Sequence, residues 1–399
     1  MSADHIESAD VAIVGAGAVG LAAALALSAE GFSVAVIGPL GAPQDGRTVA
    51  LLDGSWRLLE SLGLIDRLSD KAAPLATMRL VDDSGSLFRQ PPVEFRASEI
   101  GLDAFGWNIG NAELVEVLSE AAAAEPRIRL VPHLVSEIRR EADDVLLAGE
   151  NMQPLRAKLL VGADGRRSRV CESAGIAARE WSYPQVALTA ILTHGRDHRE
   201  TSTEFHTRSG PCTLVPLPGR RSSLVWLLDP AEAERVAALD EGAFARRVEA
   251  QVHSLLGAMS VAGPRGRVPM SGMSVDRFGA ERSVLIGEAA HVFPPIGAQG
   301  LNLGLRDVMA LREAVRRAID PGGETVIAAY DRARQADVRL RTGAVDTLNR
   351  TLLADILPAD LLRGAGLLAL SRIGPLRRIV MRQGLAGGSD QRSVSSGLA

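Results

Sequence analysis

The sequence predicts an α/β protein in which a Rossmann-like domain is interleaved with an antiparallel-sheet domain and followed by a C-terminal helical region. Three stretches predict this fold. Asp10–Ile13 and Phe32–Ile37 are short apolar runs flanking Gly15-Ala-Gly17-Ala-Val-Gly20 and an alanine- and leucine-rich helix to about Ala29, a βαβ opening suited to a dinucleotide. Further on, Leu159–Gly162 ends in the Asp164-Gly165 turn, which puts a carboxylate at the carboxyl end of a strand. Later still, Ser283–Ile286 runs into a turn, a Pro-Pro pair and a glycine-bearing loop that feeds a helix starting near Gly300.

Size and composition bound the alternatives. At 399 residues the chain suits two interleaved domains, and 46% hydrophobic with 23% charged residues is the balance of a globular enzyme. A net charge of −4 gives no electrostatic case for nucleic acid. Cys171 and Cys212 share no C-x-x-C spacing, so neither a disulfide framework nor a cysteine metal site is expected. The first residues carry Asp4 and Glu7 in place of a basic n-region, and no run of about 18 apolar residues occurs. The reading is a cytoplasmic protein.

In chain order, Gly15 permits the tight turn, Gly17 lets a pyrophosphate approach the backbone, and Gly20 lets helix pack on strand. One part is missing. The acid expected after the second strand to hold a ribose hydroxyl falls in Ile37-Gly38-Pro39. Arg47 follows, where its guanidinium can reach the pyrophosphate or that ribose, or simply face solvent. Asp53 is expected to cap a helix to Leu62, Met78–Val81 and Ser86–Phe88 to form a hairpin around Asp82-Asp-Ser-Gly85, and Asp103–Ile109 to form a strand. Asn111 is expected to cap the helix Ala112–Ala124. Ile128–Val131, Val135–Arg139 and Val145–Leu147 read as short strands, and Ser168 or a neighbouring arginine as the opening of a helix.

Residues 180–275 change character, with strand-like Val186–Thr193, Thr203–Thr207, Thr213–Pro216 and Ser223–Leu228, helical Ala231–Leu255 and a return at Arg267–Met270. This reads as an antiparallel sheet with a helical pair, suited to roofing a pocket. His194, His198, His206 and His253 lack metal-ligand spacing and read as surface residues. Helices are expected over Leu301–Ile319 and Glu324–Leu353, the second placing Tyr330, Arg334, Asp337, Arg341, Val345 and Leu348 at three- and four-residue steps. Beyond Pro358, leucines alternate with arginines, a pattern that either packs on protein or lies on a membrane surface.

The stretch from Gly287 to Asp307 carries the sharpest chemistry. A helix start presents unpaired amides and the positive end of the helix dipole, which favour an electron-rich group. Gly297 and Gly300 allow close approach, and Pro294 and Pro295 stiffen it.

Together the three stretches resemble class A flavoprotein monooxygenases of the p-hydroxybenzoate-hydroxylase type over roughly Asp10–Leu353. Within that class, Arg47-Thr-Val-Ala-Leu, Gly106-Trp-Asn-Ile-Gly-Asn-Ala-Glu-Leu, Gly297-Ala-Gln-Gly-Leu-Asn-Leu-Gly-Leu-Arg-Asp and the arginine-bearing tail are similar to ubiquinone-biosynthesis hydroxylases. The resemblance implies FAD held by Gly15, Gly17, Gly20, Arg47, Asn111, Asp164, Glu288, Gly297, Ala298, Gln299, Gly300, Leu301 and Asn302. Glu288 stands where the family has an aspartate at the ribityl chain. Pro294, Pro295 and Gly297 are implied to face the flavin ring, the amides of Leu301 and Asn302 to stabilise its reduced form, and His291 to be structural. No side chain is assigned as catalytic, because the cofactor carries the chemistry.

The implied reaction reduces FAD with NAD(P)H, adds O2 at C4a, and passes one oxygen from the hydroperoxide to a lipophilic aromatic substrate, a polyprenylated phenol or benzoquinol. Its rivals are hydroxylation of a small non-prenylated aromatic and a flavin-holding subunit without turnover. Residues 1–75, 101–180 and 276–320 would form the FAD-binding domain, 76–100 and 181–275 the substrate domain, and 321–399 the helical region. Peripheral contact with the inner face of the membrane, a biosynthetic complex or a homo-oligomer fit the same reading.

Overall fold

The computed structural model describes residues 6–43, 46–85, 91–294, 299–353 and 381, without side-chain detail at 299 and 339–353. Its first sheet orders Gly279–Ala280, Ser283–Leu285, Met152–Gly162, Glu7–Val14, Val34–Ile37 and Ile128–Val131. All but the first of these strands run parallel. Their near-continuous apolar sequences follow from burial on both faces: Val11 to Ile13, Val34 to Ile37 and Leu159 to Val161 are almost wholly inaccessible. The helix Ala18–Ala29 covers one face with alanines small enough for close packing, and the helix Gln299–Val315 lies against it. Gly304 makes that approach possible, since a Cβ there would stand 2.7 Å from Val19 and 3.2 Å from the Cα of Gly287.

The second sheet is larger and mostly antiparallel, ordered His291–Val292, Gly266–Val275, Ala178–His194, Arg221–Leu228, Gly210–Leu217, Thr201–Thr207, Thr77–Asp82 and Val93–Arg96. Residues 77–82 join it by pairing in parallel with Thr201–Thr207. One face packs Leu188, Leu192, Leu224, Trp226 and Phe205 against two helices, Pro230–Ala237 and Glu241–Gln251, the helical pair expected from the sequence. The other face carries a smaller apolar patch of Ala187, Leu227 and Met270, with Tyr183 and Val225 beside it.

A third, three-stranded sheet orders Thr48–Leu52, Gly106–Gly110 and Ala72–Pro74. It bridges the other two. Trp56 and Trp107 stack at 4.5 Å, and the buried Asn108 donates to the carbonyl of Pro216, 2.8 Å away in the large sheet.

Several local expectations need correction. Asp53 and Asn111 do not cap their helices: each is the first helical residue, after Leu52 and Gly110 respectively, and neither helix has a side-chain cap. The amide of Asn111 instead donates to the carbonyl of Arg47 at 2.9 Å. His194 is buried rather than on the surface, its ring between the Arg196 carbonyl at 2.7 Å and the Ser222 hydroxyl at 3.0 Å. The expected strand Ser86–Phe88 lies outside the described residues; Val93–Arg96 is the strand that pairs with Thr77–Asp82. Most of the tail also lies outside the description, but Met381 is buried with Val93, Phe95 and Phe105, which supports packing on the body at that point.

Candidate active site

Three adjacent parallel strands end together. Val14 stands opposite Gly162, and Gly162 opposite Leu285. Each strand then releases one of the motifs read from sequence: Gly15–Gly20, Asp164–Ser168 and the turn beginning at Gly287. The carboxyl edge of such a sheet is where ligands bind, because helix amino ends and loops converge there.

The glycines divide by role. Gly15 has φ +116°, and a Cβ on it would stand 2.2 Å from the carbonyl oxygen of Ala163; a Cβ on Gly20 would stand 2.0 Å from that of Gly15. Those two are demanded by the protein's own packing. Gly17 is exposed at the start of its helix, and a Cβ there would meet nothing within 4 Å. Open space at a helix amino terminus is a cradle for a phosphate pressed against backbone amides. The residues therefore fit the pyrophosphate of FAD, which nothing internal to the chain requires them to do.

The absent ribose-binding acid has a structural counterpart. Gly38 has φ +155°, and any Cβ there would lie 3.2 Å from the amide nitrogen of Ala16. A longer side chain would crowd the glycine loop itself. Arg47 is exposed and lines a recess of about 250 Å³ together with Lys71, Gly110, Glu113 and Arg221.

Asp164 is engaged locally. Its carboxylate accepts from the hydroxyl of Ser168 at 2.5 Å and the amide of Arg169 at 2.7 Å, while Ser168 caps the short helix Arg169–Ser173. The carboxylate thus holds the turn in shape. Arg166 leaves the same turn to donate to the Ser271 hydroxyl at 2.7 Å in the large sheet, and its Nε lies 3.6 Å from Glu288. Glu288 is exposed, with 54% of its side chain accessible, and its carboxylate pairs with Arg166 at the solvent-facing side of the turn.

The helix expected from Gly300 opens one residue earlier, at Gln299. Groups in its first turn without an intrahelical partner therefore include the amides of Gln299, Gly300 and Leu301. Asn302 contributes through its side chain. Buried, it accepts from the amide of Leu52 at 2.8 Å and donates to the carbonyl of Ala50 at 2.7 Å, pinning the start of this helix to the edge of the third sheet. Pro294 is buried at the end of the described segment, and Pro295, Gly297 and Ala298 lie outside the described residues.

If these amides face the reduced flavin, Gly300→Pro should remove one donor while leaving the helix intact, since proline is tolerated in a first turn. The expected result is FAD binding retained with a midpoint potential lowered by about 30–65 mV, the equivalent of ~1.5–3 kcal/mol for a hydrogen bond to a charged group. Potentiometric titration of the purified variant reads this directly, and an unchanged potential counts against the assignment.

Sequence reading missed the buried ionic cluster behind the site. Asp307 meets Gly287, His291 and Arg334, and the double contact from Arg306 to Asp337 extends the network. The signal was present as Arg334 and Asp337 on a helical stripe that also carries the buried Tyr330. Burial pushes the Asp337 carboxyl up, but hydrogen bonds and charge from Arg306 and Arg334 outweigh it and hold it well below the ordinary carboxylate range. A depressed carboxylate stabilises the fold above its unfolded value near 3.8 and loses that contribution as pH falls further. Asp337→Asn should accordingly cost about 2 kcal/mol at neutral pH, with the gap to wild type closing below pH 4 in thermal melts. A gap independent of pH would contradict this.

Among the described residues, no cluster of metal-ligating side chains occurs and no helix is long and apolar enough to cross a membrane. Comparison with known proteins agrees with the geometry. The FAD binding domain family matches residues 8–342. A ubiquinone hydroxylase, UbiL, of Rhodospirillum rubrum is 36% identical over 395 residues, 96% of this chain and 90% of that protein. The 3-demethoxyubiquinol 3-hydroxylase of Escherichia coli is 29% identical, with 94% and 98% of the two chains covered. Among solved structures, p-nitrophenol 4-monooxygenase PnpA from Pseudomonas putida superposes with a TM-score of 0.79 at 21% identity, covering 96% of this chain and 100% of that one, a likeness of fold.

Proposed function

Because the chain belongs to the FAD binding domain family and is an FAD-dependent monooxygenase, we propose that it hydroxylates the ring of a polyprenylated phenol or benzoquinol on the route to ubiquinone. The observation that carries this reading is the 36% identity to a ubiquinone hydroxylase along nearly the full length of both chains. When bound, FAD supplies the activation of O2 after reduction by NAD(P)H. The chain's own residues do the rest. Gly17 and the amides beside it receive the pyrophosphate, Arg47 and Asn111 stand along the path of the dinucleotide, and Glu288 reaches its ribityl chain. The helix start at Gln299–Leu301 stabilises negative charge on the reduced ring. Pro294 borders the reacting face and helps exclude water, which limits loss of oxygen as peroxide.

Purified holoenzyme tests this with NADH or NADPH as donor and three acceptors: a short-chain prenylated phenol, p-hydroxybenzoate and p-nitrophenol. The expected outcome is donor oxidation coupled to a mass gain of one oxygen in the prenylated phenol. Coupled turnover of only the small phenols would replace the substrate class, and flavin binding without turnover of any acceptor would favour a non-catalytic subunit.

A further inference from the structure

One fully buried carboxylate ties the turn Gly287–His291 to the helix Glu324–Leu353 behind it. Oδ2 of Asp307 accepts from the amide of Gly287 at 2.8 Å and lies 2.7 Å from Nε2 of His291, so a single oxygen holds both ends of the turn Gly287–His291. Oδ1 accepts from Nε of Arg334 at 2.6 Å, and Arg334 reaches on to Asp337 at 2.8 Å. Arg334 is itself only 3% exposed. Nδ1 of His291 and one terminal nitrogen of Arg334 are buried with no partner among the described residues. Asp307 sits on the helix Gln299–Val315, whose free amides open the flavin site ~12 Å along the axis at 1.5 Å per residue.

We propose that Asp307 and Arg334 are positioning residues that tune the bound flavin: Asp307 fixes the turn and the helix start, and Arg334 cancels the field of that carboxylate at the ring. The inference rests on the FAD-binding reading and goes beyond it, because Arg334, which lies outside the motifs that announce the cofactor, closes on Asp307 at the end of one of them. Two charges in a poorly solvated interior act over this range, since little water stands between them and the site to screen them. Burial disfavours the Arg334 cation, yet Asp307, Tyr330 and Asp337 overcome this and keep it charged. A pair of this kind is a poor way to gain stability compared with apolar residues of similar volume. Its placement behind the turn and its hold on the Gly287 amide point to geometry and field instead.

The two charges make opposite predictions. Arg334→Met leaves the carboxylate uncompensated and should lower the midpoint potential of bound FAD, because added negative charge disfavours the reduced anion. Asp307→Asn removes one negative charge and leaves Arg334 to pair with Asp337, which it shares with Arg306, so the cluster gains net positive charge and the potential should rise. Arg334→Lys should recover most of the wild-type potential, and the double variant Arg334→Met/Asp307→Asn should lie between the singles. The measurement is a potentiometric titration of each FAD-loaded variant, with FAD affinity followed separately by flavin fluorescence. Loosened packing alone would weaken FAD binding in both singles without opposed potential shifts, so shifts of the same sign, or none, overturn the proposal. If either single fails to fold, the lysine and double variants still decide it: the double must return toward wild type, and a larger displacement than Arg334→Lys shows overturns the pairing. Wild-type protein that binds no FAD would defeat the functional reading itself, a distinct outcome visible before any variant is made.

Discussion

Gly17→Val should yield folded, colourless protein. At this position a Cβ would meet nothing within 4 Å, so the valine enters space that the polypeptide does not use. Valine lowers helix propensity only slightly and sits at the cap, outside the helix interior. The fold should therefore survive, with circular dichroism and thermal midpoint close to those of the wild-type apoprotein. FAD affinity should fall roughly a thousandfold, about 4 kcal/mol, because the side chain stands between the pyrophosphate and the amides that would bind it. Gly15→Ala and Gly20→Ala form the contrast. Their methyl groups would press into backbone oxygens at 2.2 Å and 2.0 Å, so these variants should lose stability before any question of cofactor arises. Equilibrium dialysis with FAD beside thermal melts separates the two classes. A yellow Gly17→Val protein with full flavin stoichiometry would remove the glycine loop from the site.

That contrast also explains what could be read from the chain before its structure. Glycine spacing, an Asp-Gly turn and a proline pair encode local backbone demands, and local demands are legible residue by residue. The βαβ opening then followed, because that pattern has few ways to assemble, whereas the parallel pairing of Thr77–Asp82 with Thr201–Thr207 had no local signal. Partners were not legible. Asn108 looked like one residue in a strand until it was found bonded to the carbonyl of Pro216, in a different sheet. His194 carried no motif, and its burial depends on Ser222, a residue that only the pairing of Ala178–His194 with Arg221–Leu228 brings near. Asp307 is the last letter of a loop motif in sequence, whereas its work is to join that loop to the helix Glu324–Leu353 through Arg334, a link that no spacing announces. Gly38 shows the reverse case: an absence in sequence that became intelligible once its neighbour, the amide of Ala16, was in place.

Asn302→Leu should cost about 2–6 kcal/mol, the penalty for leaving a backbone donor and a backbone acceptor unpaired at ~1–3 kcal/mol each. Thr48–Leu52 is an edge strand, paired on one side with Gly106–Gly110. On its other side the Asn302 carboxamide accepts from Leu52 and donates to Ala50, which gives it the part of a neighbouring strand in miniature. Leucine matches the volume but offers neither group. Asn302→Asp tests the same point by charge, since a carboxylate keeps the acceptor for Leu52 yet faces the Ala50 carbonyl with no hydrogen to give. Both variants should unfold at lower denaturant than wild type, and both should bind FAD more weakly, because the helix start loses its fixed distance from the third sheet. The order of loss separates this from the Gly17 case: here stability falls in the apoprotein, before cofactor is added. Wild-type stability in Asn302→Leu would mean that water replaces the carboxamide at the strand edge, and the helix start would then need another anchor.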